Sequence, residues 1–119
     1  MVSIIIPTLN EAGNIDPLLK RIFKAGRSPT AETEVVFVDD DSTDGTRERI
    51  RFWQAAHPVR LIHRKGKNGL AAAVVEGARV AVGEIVVVMD ADLSHPPEAI
   101  PQLVAPLQRD RCDMTVGSR

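Results

Sequence analysis

Three runs of this chain carry carboxylates or amides directly after apolar, β-branched stretches. They are Pro7-Thr8-Leu9-Asn10-Glu11 after Ile4-Ile5-Ile6, Asp39-Asp40-Asp41-Ser42-Thr43-Asp44-Gly45-Thr46 after Val38, and Asp90-Ala91-Asp92-Leu93-Ser94-His95-Pro96 after Val88-Met89. Asp90 and Asp92, at i and i+2, are close enough to share one cation while leaving positions for phosphate oxygens and water. Mg²⁺ or Mn²⁺ held there would neutralise a departing nucleoside diphosphate, which is Lewis-acid help requiring no protein nucleophile. One carboxylate of the Asp39 to Asp41 run is suited to the imino or amino hydrogens of a nucleobase, while Ser42 helps organise the turn. Asp44 and Thr46 read as turn and helix-start residues. Glu11 suits a hydroxyl pair such as ribose, or alternatively the positive end of the following helix. Arg64, Lys65 and Lys67, with Gly66 and Gly69, form a mobile basic loop that either touches a phosphate or is simply solvated. His95 adjoins the acid pair, whereas His57 and His63 show no metal spacing and read as structural.

Side chains so placed need elements to converge them. The pattern predicts strands over Val2–Ile6, Glu34–Asp39, Val59–His63, Glu84–Asp90 and Cys112–Val116, with Pro7 ending the first. Between them it predicts helices over about 15–25, capped by Asn14, 46–56, 70–82 and 97–108, the last interrupted near Pro101 and Pro106. The third helix is rich in Ala and Val and reads as too apolar for a solvent-exposed position. Gly26-Arg27-Ser28-Pro29 and Asp44-Gly45 mark turns. Strand and helix in strict alternation imply an α/β domain with a mostly parallel sheet, right-handed crossovers and helices on both faces. In such a sheet all three acidic runs fall at the carboxyl edge, where ligands bind.

Composition narrows the partners. The 119 residues form one domain by length, and 44% hydrophobic content suffices for a modest core. A net charge of −1, from 15 Lys and Arg against 16 Asp and Glu, argues against binding nucleic acid through bulk charge. Three Phe, one Trp and no Tyr offer little surface for stacking single-stranded bases. Cys112, the one cysteine, can form no internal disulfide and reads as core. With no apolar stretch of about 18 residues and no basic lead, the expectation is a cytoplasmic chain. It stops at Gly117-Ser118-Arg119 directly after a strand, which reads as a truncation. The uncovered sheet edge makes a homo-oligomer an expectation as well.

Taken together, the three runs in this order resemble the amino-terminal half of inverting family 2 glycosyltransferases of the GT-A type, a Rossmann-like fold that binds nucleotide-diphospho-sugars. More narrowly, Gly66-Lys67-Asn68-Gly69-Leu70-Ala71, Gly77, Gly83 and Asp90-Ala91-Asp92-Leu93-Ser94-His95-Pro96-Pro97 are similar to dolichol-phosphate mannosyltransferases and their bacterial polyprenol-phosphate relatives. The resemblance covers essentially residues 1–119, taken as the nucleotide-sugar-binding portion of the catalytic domain. It implies transfer of a sugar, classically mannose from GDP-mannose or another sugar from a UDP-sugar, to a polyprenyl phosphate with inversion. The longer protein would then work at a membrane surface. Carried over, Pro7, Glu11, Asp39 and Asp40 lie around the nucleoside. Asp90 and Asp92 lie around the metal and diphosphate, and Arg119 lies near the acceptor phosphate. The nucleotide-sugar set is completed by Thr8, Asn10, Ser42, Lys67 and Ala91, and the catalytic pair is Asp92 and Arg119. Leu9 stands where the family carries Tyr. An ionised phosphate acceptor is already nucleophilic and can dispense with a general base.

A rival of another class is a signalling receiver domain, of similar length and α/β order. It would use Asp39 and Asp40 for Mg²⁺ and Asp90 as phosphoacceptor, and its topology between those acids matches. Against it stand the extra first strand with Pro7 and Glu11, the second acid Asp92, and the lack of a Lys at the end of the last strand. A dehydrogenase of the dinucleotide-binding type is disfavoured because no G-x-G-x-x-G follows a strand. A nucleotide-binding fragment without activity is a third reading.

Overall fold

The computed structural model describes residues 2–25, 33–65, 69–91 and 114–116. Its elements are β1 (Val2–Thr8), α1 (Ala12–Ala25), β2 (Thr33–Asp39), α2 (Thr46–Gln54), β3 (Val59–His63), α3 (Leu70–Val80), β4 (Ile85–Val88) and β5 (Met114–Val116). The expected helix over 97–108, the Gly26 to Pro29 turn and the Gly66 to Asn68 loop lie outside the described residues.

The strands form one parallel sheet in the order β3-β2-β1-β4-β5. The chain thus winds outward from β1 on one side and returns to β1's other side through α3. That leaves a topological switch point between β1 and β4 at the carboxyl edge. The same order removes the receiver reading. A receiver pairs the strand ending in its acid pair directly with the strand ending in its phosphoacceptor, as its 2-1-3-4-5 order requires. Here β1 stands between β2, which ends in Asp39, and β4, which leads to Asp90.

Burial on both faces explains the unbroken apolar strands, because successive side chains of a strand point to opposite faces. On one face Ile4 and Ile6 of β1, with Val35 and Phe37 of β2, meet Ile15, Leu18, Leu19 and Ile22 of α1 and Ile50 of α2. On the other face Ile5, Val36, Val38 and Val88 meet Ala73 of α3. The expectation that α3 is too apolar for a solvent-exposed position is corrected. Ala71, Ala72 and Val75 are exposed, and the helix touches the sheet along a narrow stripe of small residues. A Cβ on Gly77 would stand 2.6 Å from Ile5 Cγ2 and 3.2 Å from Val38 Cγ2, so α3 approaches as closely as glycine permits.

The ends of four elements also differ from expectation. Pro7 does not end β1, which runs to Thr8. Met89 N donates to Ile5 O and Asp40 N donates to Thr8 O, so alternate residues of β1 face alternate neighbours. Pro7 shares the parity of Ile5, and its missing N–H therefore faces the β4 side, where pairing stops at Ile5 opposite Val88. Its pairing with Val38 on the β2 side is kept. Asn14 is not the cap of α1, which begins at Ala12. Helix α2 ends at Gln54 and strand β4 spans only Ile85–Val88, both shorter than their apolar patterns.

The amino edge of the sheet is closed by structural contacts. Ser3 donates to the buried Glu34, which also accepts from Val82 N. Beside it, His57 stacks on Phe23 and leans against Trp53, each at 4.8 Å between ring centroids. This agrees with a structural role for His57.

Candidate functional site

The β1–α1 and β2–α2 loops are built as one unit at the carboxyl edge. Asn10 and Asp41 adopt left-handed backbone with φ of 55° and 56°, a region that short polar side chains tolerate. Asn10 N donates to Ser42 Oγ at 2.8 Å, and Thr43 N donates back to Asn10 Oδ1 at 2.9 Å. The exposed amides starting α1 are satisfied from a distance: Glu11 N by Thr46 Oγ1 at 2.9 Å, and Ala12 N by Asp44 Oδ2 at 3.1 Å. Asp44 Oδ1 in turn accepts from Thr46 N and Thr46 Oγ1. These hydrogen bonds hold the carboxyl of Asp44 below its ordinary range, the Thr46 hydroxyl contributing most. Asp44 and Thr46 thus act as turn and cap residues, and they cap two helices. Asn14 serves the same region by donating from Nδ2 to Glu11 Oε2 at 2.8 Å.

Asp39 is the hub. It is fully buried, and its carboxylate accepts from Thr8 Oγ1 at 2.7 Å, Ser42 Oγ at 2.6 Å, Ser42 N at 2.9 Å and Arg47 Nη1 at 2.8 Å. A carboxylate offers about four lone-pair positions, so these donors fill it. Burial alone would raise its pKa, yet the hydrogen bonds of Ser42, Thr8 and Arg47 outweigh burial and hold it below the ordinary 3.8. Asp39 therefore fastens β1, the turn and α2 together with no acceptor capacity to spare.

Asp40, one residue on, points to the opposite face. Its Oδ1 is buried, has no hydrogen bond among the described residues and lies 3.4 Å from Arg64 Nε. Asp41 turns outward and meets His63 Nε2 at 2.8 Å, a contact that with nearby Arg47 keeps its carboxyl below the ordinary range. Asp90 follows β4 and is half-buried, with no hydrogen bond or ion pair among the described residues, and Ala91 beside it is buried. The ladder places Pro7 two residues beyond Ile5 and Asp90 two beyond Val88, so the first and third runs meet at the switch point.

Of the expected site residues, Pro7, Thr8, Asn10, Glu11, Asp39, Asp40, Ser42, Asp90 and Ala91 thus come to one edge. Lys67, Asp92 and Arg119 lie outside the described residues. An open carboxylate at Asp90, with a second two positions later, is a hard-oxygen donor set that fits Mg²⁺ or Mn²⁺ completed by phosphate and water. One expectation needs correcting. Arg64 is no part of a solvated loop, because its side chain is 2% exposed, packed between Asp40 and Glu76. Sequence reading also passed over Arg47. The signal was available in its place at the second position of α2, eight residues after the buried acid it pairs with.

Residues 3–119 match the profile of glycosyl transferase family 2. The chain is 44% identical over 118 residues to a dolichol-phosphate mannosyltransferase of Pyrococcus furiosus, spanning 99% of this chain and 33% of that protein. It is 42% identical over 120 residues to the Saccharomyces cerevisiae dolichol-phosphate mannosyltransferase, covering 98% and 44% of the two chains. Among solved structures, a mannosyltransferase of Pyrobaculum calidifontis in complex with GDP-Man and Mn²⁺ superposes with a TM-score of 0.72 at 38% identity, over 88% of this chain and 32% of that one. The chain therefore spans a third to under half the length of these relatives. The GT-A type α/β fold implied by the strand-end motifs is the fold observed, and the chain belongs to glycosyl transferase family 2.

Proposed function

We propose that residues 1–119 form the nucleotide-sugar-binding part of a glycosyltransferase that moves mannose from GDP-mannose to a polyprenyl phosphate with inversion. The observation that carries this is the meeting of three polar strand ends at the β1/β4 switch point, with Asp40 and Asp90 keeping unspent carboxylate oxygens among the described residues. The mannosyltransferase relatives favour mannose over the glucose or N-acetylglucosamine of UDP-sugars.

In this reading Asp40 and Glu11 face the base and ribose, while Asp39, Thr8, Ser42 and Asn10 hold the loop that carries them. Pro7 and Ala91 line the crevice, and Lys67 meets a donor phosphate. Asp90 and Asp92 would hold Mg²⁺ or Mn²⁺, which supplies neutralisation of diphosphate charge when bound. An acceptor phosphate oxygen, already ionised and steadied by Arg119, attacks the anomeric carbon from the face opposite the diphosphate. The new carbon–oxygen bond forms as the bond to the diphosphate breaks, and the diphosphate leaves with the electron pair. No proton moves, so no general base is needed. Among the described residues no helix is long and apolar enough to cross a membrane. A polyprenyl phosphate carries its phosphate at a membrane surface, and the acceptor would be met there.

Calorimetric titration with GDP, GDP-mannose, UDP-glucose and UDP-GlcNAc, each with Mn²⁺, tests the donor. GDP species should bind most tightly, EDTA should weaken binding, and Asp90→Ala should weaken it about tenfold or more. Equal affinity of Asp90→Ala and the parent chain for GDP and Mn²⁺ would remove Asp90 from the metal site. A preference for UDP-sugars would remove GDP-mannose.

A further inference from the structure

We propose that Arg64 is a positioning residue for the donor site, holding the carboxylate of Asp40 in place from behind the sheet edge.

Arg64 follows β3 directly. Its backbone N–H extends the sheet by donating to Asp39 O at 2.8 Å, and its side chain is 2% exposed. Nε lies 3.4 Å from Asp40 Oδ1 and 3.7 Å from Glu76 Oε1 on α3, and Nη1 reaches Gly69 O at 3.5 Å. One guanidinium thus touches the end of β2, the body of α3 and Gly69, the residue that precedes α3. Among the described residues, Asp40 Oδ1, Arg64 Nε and Arg64 Nη2 are all buried without a hydrogen bond.

A buried cation with unspent donors is a poor stabilising device, since taking the charge out of water costs more than loosely placed partners return. A core built for stability alone would be at least as well served by an apolar side chain. The arrangement does suit holding a neighbouring carboxylate in one orientation. Asp40 has 15% of its side chain exposed while its Oδ1 is buried on Arg64, so the cation takes one oxygen and leaves the rest of the carboxylate at the ligand edge. The other acids of the run are committed elsewhere. Asp39 is filled by its four donors, and Asp41 is turned outward to His63. Asp40 is therefore the acid of β2's end left for a ligand, and Arg64 is what orients it.

The inference rests on the donor-site reading, and a double-mutant cycle separates the two. Binding of GDP with Mn²⁺ is measured for the expressed chain, Arg64→Gln, Asp40→Asn and the double variant, with thermal unfolding as the folding check. Arg64→Gln should weaken binding about tenfold or more, Asp40→Asn should do the same, and the double variant should bind no worse than Asp40→Asn alone. Arg64→Lys, which keeps charge but not the planar fork, should recover part of the affinity. If Arg64→Gln does not fold, Arg64→Lys replaces it in the cycle, with a smaller loss expected that should vanish in the Asp40→Asn background. Unchanged affinity in a folded Arg64 variant overturns the proposal, and so do losses that multiply in the double variant, which would mean Arg64 acts without Asp40. A parent chain that binds no GDP with Mn²⁺ refutes the donor-site reading itself.

Discussion

The division of labour among Asp39, Asp40 and Asp41 shows how three identical neighbours acquire different chemistry. Alternation sends Asp39 toward Thr8 and Arg47 and Asp40 toward Arg64, and left-handed backbone at Asp41 turns the third acid to His63. The sequence marks this run as a ligand edge, but it cannot say which acid is consumed by the fold, because the donors that fill Asp39 lie up to 31 residues away. Arg64 was misjudged for the same reason. A basic residue beside Gly and Lys reads as loop, and its burial depends on α3 folding back over it. The Asp39 assignment has a pH signature. Its folded pKa lies below the ordinary 3.8, so its contribution is fully present above that value and is lost as pH falls through the depressed one. Asp39→Asn cannot accept from all four donors and should cost about 1–3 kcal/mol in urea unfolding at pH 7. The gap between parent and variant should narrow once the parent acid is protonated. A gap of equal size at neutral and strongly acid pH would mean that the ionised carboxylate is not what holds the turn.

At the scale of elements, β3 was legible to the residue, and every helix and strand that falls within the described residues was present where apolar periodicity placed it. The misses were at ends, where distant groups decide. Helix α1 starts three residues early because Thr46 and Asp44 satisfy its first amides, a cap that no local window contains. Helix α3 is more exposed than its apolar composition suggests, because its small residues signal close approach to the sheet along one stripe. Gly77 makes this measurable. Replacing it with Ala would gain about 1 kcal/mol of helix propensity. The new Cβ would sit 2.6 Å from Ile5, a fully buried side chain unable to retreat, and overpacking of that kind costs about 1–3 kcal/mol. Gly77→Ala should therefore be destabilised in urea unfolding, and Gly77→Val more so. A stabilised alanine variant would show that α3 can lift away from β1 and β2 at little cost.

For the whole molecule, the strand order was the part least visible in the sequence. Alternating strands and helices serve a receiver and this fold equally well, and what separates them is whether β1 inserts between β2 and β4. That insertion puts the site at one edge and a purely structural lock, Ser3 with Glu34 and Phe23 with His57 and Trp53, at the other. Ligand binding should consequently stabilise the two edges unequally. At a concentration of GDP and Mn²⁺ about 100 times the dissociation constant, openings that destroy the site become costlier by about 2.7 kcal/mol. Amides over 9–12, 40–46 and 89–91 that exchange through local opening should slow toward that limit. Amides of the amino edge, around residues 53–59, whose opening leaves the site intact, should keep their rates. EDTA should return the first group to its unliganded exchange while leaving the second untouched. Slowing concentrated at the amino edge would place the nucleotide on the wrong end of the sheet. Slowing indifferent to EDTA would leave the nucleotide where it is and take the metal out of its binding.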